Sequence, residues 1–110
     1  MKTVLVLGHD GMGHGDGELG ARILRTFLQK CRTIRDLRAI VLFNDGVKLA
    51  VKGSPVLGEL QHLFEGGVDV CPCGTCLEHY GLRDQLDVGD VSNMDEIVAQ
   101  MNAADKLITL

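Results

Sequence analysis

Short apolar runs alternate along this chain with longer stretches in which apolar residues recur every three or four positions. Thr3–Leu7 is a continuous apolar run rich in valine, the pattern of a strand covered on both faces. Over residues 18–31, Leu19, Ile23, Leu24, Phe27 and Leu28 fall at helical spacing. Arg22, Arg25 and Lys30 fall on the other side, and Asp16 stands ahead as an N-cap. Residues 37–43 form a second strand that runs into the turn Asn44-Asp45-Gly46. Ser54-Pro55 supplies a cap and a first-turn proline for a helix carrying Leu57, Leu60, Leu63 and Phe64, which stops at Gly66-Gly67.

Residues 68–71 read as a third strand, leading straight into Cys71-Pro72-Cys73-Gly74-Thr75-Cys76. Residues 77–86 read as an irregular helix broken at Gly81, and 88–91 as a further short strand. Ser92 or Asn93 caps a helix with Ile97, Val98 and Met101, and residues 106–110 close the chain as a strand. Strands alternating with helices of this length imply right-handed βαβ crossovers. The expected fold is a single α/β domain over residues 1–110, a three-layer α/β/α sandwich around a mainly parallel sheet of about five strands. Ligands of such sheets gather at the carboxyl ends of the strands. That places the loop 8–17, the turn Asn44-Asp45-Gly46 and the cysteines in one candidate site.

Composition narrows the function. The sequence is 45% hydrophobic and 24% charged, which is globular in character. Its formal charge of −4 comes without any Lys/Arg run, so no basic footprint exists for nucleic acid or an anionic membrane. The apolar stretch Val4-Leu5-Val6-Leu7 ends at Gly8, too short for a signal-peptide core or a membrane span. The expected location is the cytoplasm. Three of the four cysteines lie within six residues; in a reducing compartment that clustering favours reactive or metal-binding thiols over structural disulfides.

The cluster holds a C-x-C (Cys71, Cys73) and a C-x-x-C (Cys73, Cys76) where a strand passes into a helix. Backbone N–H groups and the positive end of a helix dipole favour a thiolate there, so Cys73 or Cys76 is expected to have a lowered pKa. Cys71 serves equally well as a small apolar residue at a strand end, and Cys31 is read as structural. A zinc site would combine the three clustered cysteines with His79 or His9, in cramped spacing and without a second C-x-x-C. Cys73-Gly74-Thr75-Cys76 also permits a dithiol/disulfide switch.

The glycine-rich segment contains Gly15, Gly17 and Gly20 in G-x-G-x-x-G spacing, but this begins late after the strand, unlike a dinucleotide fingerprint. Its glycines allow close backbone approach to the cysteines or to an anion. His9 and His14 either hold a thiolate and move protons or are simply solvated. Thr75 lies between Cys73 and Cys76, and His79 and Tyr80 follow the cysteines closely enough to reach the site; Tyr80 serves packing equally well. His62 is read as surface.

Met12-Gly13-His14-Gly15, Glu18-Leu19-Gly20, Asn44-Asp45-Gly46-Val47-Lys48-Leu49, Cys73-Gly74-Thr75-Cys76-Leu77 and Asn93-Met94 resemble blocks of the YedF-type sulfurtransferase-like selenium-metabolism family. The resemblance is to its DsrE-like domain, itself similar to the DsrE/TusD sulfur-relay proteins, and it spans almost the whole chain. It implies a parallel α/β sandwich assembled as a homotrimer or homohexamer. It also implies a cysteine that accepts sulfur or selenium as a persulfide, with no cofactor and no metal. In that superfamily the carrier cysteine precedes a glycine by eight residues, a spacing met by Cys73 and Gly81. Cys73 is therefore the implied carrier and Cys76 the neighbouring thiol, with Cys71, His9, His14, Asn44, Thr75 and Tyr80 as pocket and support. Implied partners are sulfur or selenium donor and acceptor proteins, among them a separate TusA-like protein, because members of the family often carry a TusA-like domain and these residues hold none. The Cys71-Pro72-Cys73 start departs from the single cysteine of the relay proteins. The reading from another class is a non-catalytic metal- or nucleotide-binding module using the same crevice.

Overall fold

The valine-rich first run becomes β1 (Thr3–Leu7), and all five of its residues are buried. The computed structural model describes residues 1–110. Strand β2 (Leu37–Leu42) pairs with one edge of β1, and β4 (Lys106–Thr109) with the other. Strand β3 (Asp69–Pro72) adds beyond β2, so the sheet is parallel throughout in the order β3-β2-β1-β4. Leu7 pairs with Leu42, and Leu42 with Pro72. That register brings the carboxyl ends of three strands level, and the segments that follow them converge.

Helix α1 (Gly17–Lys30) begins as its sequence dictates: the Asp16 carboxylate accepts the Leu19 N–H at 2.8 Å. Gly20, Leu24 and Leu28 form its buried face. Helix α2 (Leu57–Glu65) buries Leu60 and Leu63 and is tied to α1 by Glu59, which accepts from Arg25 and Gln29, each at 3.1 Å. Two further helices follow β3: α3 (Gly74–His79) and α4 (Met94–Ala103), the latter capped by Asn93 on the Glu96 N–H at 2.9 Å. The buried side chains form one hydrophobic cluster, in which a fully enclosed residue such as Leu60 or Ile97 contributes about 1.5–3 kcal/mol.

The crossovers from β1 to β2 and from β2 to β3 run in the same direction across the sheet, so right-handed connection puts α1 and α2 on one face. The return from β3 to β4 runs the other way and puts α4 on the opposite face. The α/β/α layering expected from the sequence is present, with four strands where about five were expected.

The missing strand is the segment 88–91. Gly89 has φ 86°, and a β-carbon there would overlap the Val70 carbonyl oxygen. The chain is pressed against β3 but bent out of extended geometry, leaving an Asp90 N–H bond to Val70 and a lone bridge between Cys73 and Ser92. Ser54 is not the cap of α2: its hydroxyl accepts the Val56 N–H in a local turn at 3.2 Å, and the helix starts at Leu57. The irregular helix expected over 77–86 starts earlier, at Gly74, and ends before Gly81, whose φ is 66°. A 3-10 helix from Asn44 to Ala50, read from the sequence only as a turn, links β2 towards α2. No helix is long and apolar enough to cross a membrane.

Candidate functional site

Strands β2 and β3 send their chains to opposite faces of the sheet, and between their carboxyl ends lies the crevice in which α/β sheets bind ligands. Asn44 leaves β2 there and Cys73 leaves β3. Cys73 is the N-cap residue of α3, and its backbone N–H bonds the Leu42 carbonyl at 2.9 Å. Its side chain is turned inward, leaving the residue 3% exposed. Cys76, in the first turn of α3, is only half-buried. Its Sγ accepts the Asn44 N–H at 3.1 Å, and Cys73 is near enough to raise its thiol pKa.

The turn at Asn44 is shaped by two departures from ordinary backbone. Asn44 itself is left-handed, φ 52°, a conformation that asparagine tolerates better than most residues. Gly46 packs so tightly that a β-carbon would overlap the Leu7 carbonyl oxygen, so this position admits only glycine without displacing β1. The Asn44 Oδ1 accepts the Asp45 N–H at 2.9 Å and lies 3.0 Å from the Tyr80 hydroxyl. That hydroxyl is 2.8 Å from the Asp45 carboxylate, which Lys48 holds from the other side at 2.9 Å. The Lys48 ammonium also lies 4.3 Å from the centre of the Tyr80 ring.

These contacts set the charges. The Lys48 ammonium, then the Tyr80 hydroxyl, hold the Asp45 carboxyl below its usual range. Hydrogen bonding to Asp45, then burial, holds the Tyr80 phenol above its own. Burial pushes the Cys76 thiol up, against the opposing effect of the Asn44 N–H. The lowered pKa expected at the helix start is therefore not found at Cys76: α3 has six residues, and its dipole and one N–H do not offset desolvation.

The remaining candidates divide. Cys71 lies in β3, with the acidic groups of Asp69, Glu96 and Asp90 around it; burial, then the Asp69 charge, pushes its thiol up to about 11. Cys31 is buried at the C-terminal cap of α1, its thiol also raised to about 11 by burial. Thr75 is exposed and lines a separate hollow with Gly74, Glu78 and Arg83. His79 packs edge-on against Tyr80. His9 pairs with Asp10 at 3.3 Å and stacks on the exposed His14 with ring centres 5.2 Å apart. Both histidines line a hollow of about 410 Å³ under the glycine loop rather than the cysteine crevice.

The zinc set of three clustered cysteines and a histidine is not assembled. The group whose potential ligand atoms lie within 4.8 Å of one another is His9, Asp10 and Asp45. Asp45 is already held by Lys48, so this group is ion-paired. The sequence places Asp45 in the candidate site only as part of the Asn44-Asp45-Gly46 turn and gives neither Asp45 nor Lys48 a role of its own. Their i,i+3 spacing was visible, but it becomes a contact only because the segment forms a 3-10 helix, in which residues three apart eclipse.

The sequence matches the DsrE/DsrF-like family over residues 1–110. The chain belongs to that family. Solved structures with the same DsrE/DsrF-like fold include a protein of unknown function from Methanobacterium thermoautotrophicum, with TM-score 0.73, 22% identity and 99% and 98% of the two chains covered. The ychN protein from E. coli aligns over 100% of both chains with TM-score 0.67 and 22% identity. A conserved protein of unknown function from Bacteroides thetaiotaomicron gives TM-score 0.68 and 16% identity, covering 99% of this chain and 95% of its own. No curated protein matches the sequence. This DsrE/DsrF-like domain thus offers one accessible sulfur, Cys76, one enclosed neighbouring thiol, Cys73, and a fixed N–H donor. That set suits sulfur-centred nucleophilic exchange.

Proposed function

We propose that the protein carries sulfur or selenium as a persulfide on the Cys73/Cys76 pair, in the manner of the YedF-type branch of its family. The observation that carries this reading is the Cys76 Sγ, half-buried at the crevice between β2 and β3, bonded by the Asn44 N–H and backed by a second thiol. The Cys76 thiolate attacks the outer sulfur of a donor persulfide. A new S–S bond forms at Cys76, the donor S–S bond breaks, and the donor leaves as a thiolate. Release follows when an acceptor thiolate takes the outer sulfur, or when Cys73 attacks the inner sulfur, closing a Cys73–Cys76 disulfide and expelling hydrosulfide. Burial supports Cys76 as the atom that meets the donor, and this reverses the order of the two cysteines expected from the resemblance.

The protein acts as a carrier between donor and acceptor proteins, among them a TusA-like partner, and it assembles as a homotrimer or homohexamer. Apolar side chains left in water on α1 (Leu19, Ile23), α4 (Met94, Val98) and the edge strand β4 (Leu107) support an assembly. The second reading, a dithiol/disulfide switch, rests on the proximity of Cys73 and Cys76.

The test is intact-protein mass spectrometry after incubation with a persulfide donor, with and without reductant, on wild type, Cys73→Ser and Cys76→Ser. A reducible gain of one sulfur that persists in Cys73→Ser and vanishes in Cys76→Ser is the expected outcome. Gain lost only in Cys73→Ser restores Cys73 as carrier. Loss of two hydrogens without sulfur gain moves the assignment to the dithiol switch.

A further inference from the structure

We propose that the Asn44 backbone N–H is the donor that steadies the anionic sulfur of Cys76, and that Tyr80 is the positioning residue that holds this donor in line. The proposal rests on Cys76 being the working sulfur, and it names how that sulfur is made usable.

A backbone donor is only as well aimed as its loop. Asn44 occupies a left-handed conformation at the exit of β2, costing of order 1 kcal/mol or more for a residue with a side chain. Such a conformation persists where the surroundings over-determine it. Here the Asn44 carboxamide oxygen takes the Asp45 N–H at 2.9 Å, and the Tyr80 hydroxyl lies 3.0 Å from the same oxygen. Gly46, seated against Leu7, fixes the other end of the turn.

Tyr80 comes from the far side of the crevice, as the residue that ends α3. It therefore bridges the helix bearing Cys76 to the turn bearing the Asn44 N–H. Its single hydroxyl proton is shared towards Asn44 and Asp45, and the shorter contact, 2.8 Å, is to the charged Asp45. Lys48 neutralises that carboxylate at 2.9 Å, so the lock places no net negative charge beside the sulfur it serves.

The groups facing Cys76 are few. Cys73 stands on its own helix; Tyr80 ends that helix; Asp45 and Lys48 come from the 3-10 helix, and His9 and Asp10 face Asp45 from the loop after β1. Among them the Asn44 N–H is the donor in direct contact with Sγ. A hydrogen bond to the charged form of a buried group favours ionisation, and a developing sulfur anion needs that donor at the moment of attack.

The test is peptide-resolved alkylation by iodoacetamide across pH, on the full-length reduced protein, comparing wild type with Tyr80→Phe and Asn44→Gly. Tyr80→Phe keeps the ring beneath Lys48 and removes the hydroxyl. Asn44→Gly keeps access to positive φ and removes the carboxamide tether. In both, the pH of half-maximal Cys76 alkylation is expected to move upward, and the rate at neutral pH to fall by roughly threefold or more. Alkylation of Cys71, which sits on β3 itself, stays unchanged and serves as the internal control against general loosening. An unshifted Cys76 profile in a folded Tyr80→Phe protein overturns the proposal, as does an equal shift at Cys71; if Asn44→Gly fails to fold, Tyr80→Phe decides alone. Sulfur loading separates the two readings. Wild type that takes up no sulfur while Tyr80→Phe still shifts Cys76 removes the carrier function and keeps the positioning role. Wild type that loads sulfur with no shift in Tyr80→Phe does the reverse.

Discussion

A β-carbon on Gly46 would meet the backbone of β1, whereas one on Gly58, in the first turn of α2, would meet nothing within 4 Å. The same substitution therefore has opposite signs at the two sites. Gly46→Ala forces the Asn44 turn away from β1 and is expected to cost about 3 kcal/mol. Gly58→Ala, at an ordinary helical position, is expected to gain about 0.5–1 kcal/mol by restricting the unfolded chain. Urea unfolding midpoints of the two variants check this, and a stable, wild-type-like Gly46→Ala protein would mean that the turn has room the geometry denies it. The sequence marks Gly46 as part of an Asn-Asp-Gly turn, but a turn glycine and a packing glycine look alike before the register of β1 and β2 is known. The same limit applies to the cysteines. Their cluster is plain in one line of sequence, yet which sulfur faces water depends on Cys73 being the last residue to bond the sheet and Cys76 lying a turn beyond it.

At the scale of elements, local chemistry was readable wherever a side chain meets its own backbone within a few residues. Asp16 and Asn93 cap α1 and α4 as their positions suggest. Ser54-Pro55 carries the same kind of signal and yet closes only a short turn ahead of α2. The difference yields a paired prediction. Asp16→Ala is expected to lower stability by about 1 kcal/mol, a fall of roughly 4–8 °C in Tm for a domain of this size. Ser54→Ala is expected to move Tm by less than half as much, because no helix terminus depends on that hydroxyl. Differential scanning calorimetry distinguishes them, and equal losses would contradict the placing of the α2 start at Leu57. Segment 88–91 departs from the strand its pattern predicts for a non-local reason: its valines suit a strand, but Gly89 must fit against Val70 of β3. That contact belongs to the tertiary structure, and no periodicity of the segment announces it.

Across the whole molecule, one topological reversal explains where the site lies, and the same reversal explains what is left uncovered. The chain builds β1, β2 and β3 in one direction and then returns to add β4 on the far side of β1. The crevice between β2 and β3 receives Asn44 and Cys76. The opposite edge is closed by a four-residue strand with three of its side chains exposed. Leu107 is 48% exposed there, and Val98 on α4 is 56% exposed. Single exposed apolar residues are ordinary; Leu107 lies on an open strand edge, whose unpaired N–H and C=O groups invite pairing unless something covers them. If copies of this chain cover that edge, native mass spectrometry and light scattering of the wild type should give a trimer or hexamer, with Tm rising with protein concentration. Leu107→Asp and Val98→Asp should then shift the population towards monomer while leaving far-UV circular dichroism unchanged, since neither side chain belongs to the buried core. The cysteine crevice lies at the other edge of the sheet, so the monomeric variants should still accept sulfur at Cys76. A wild type that is monomeric at high concentration would remove the assembly and leave the chemistry of the crevice to be judged by itself.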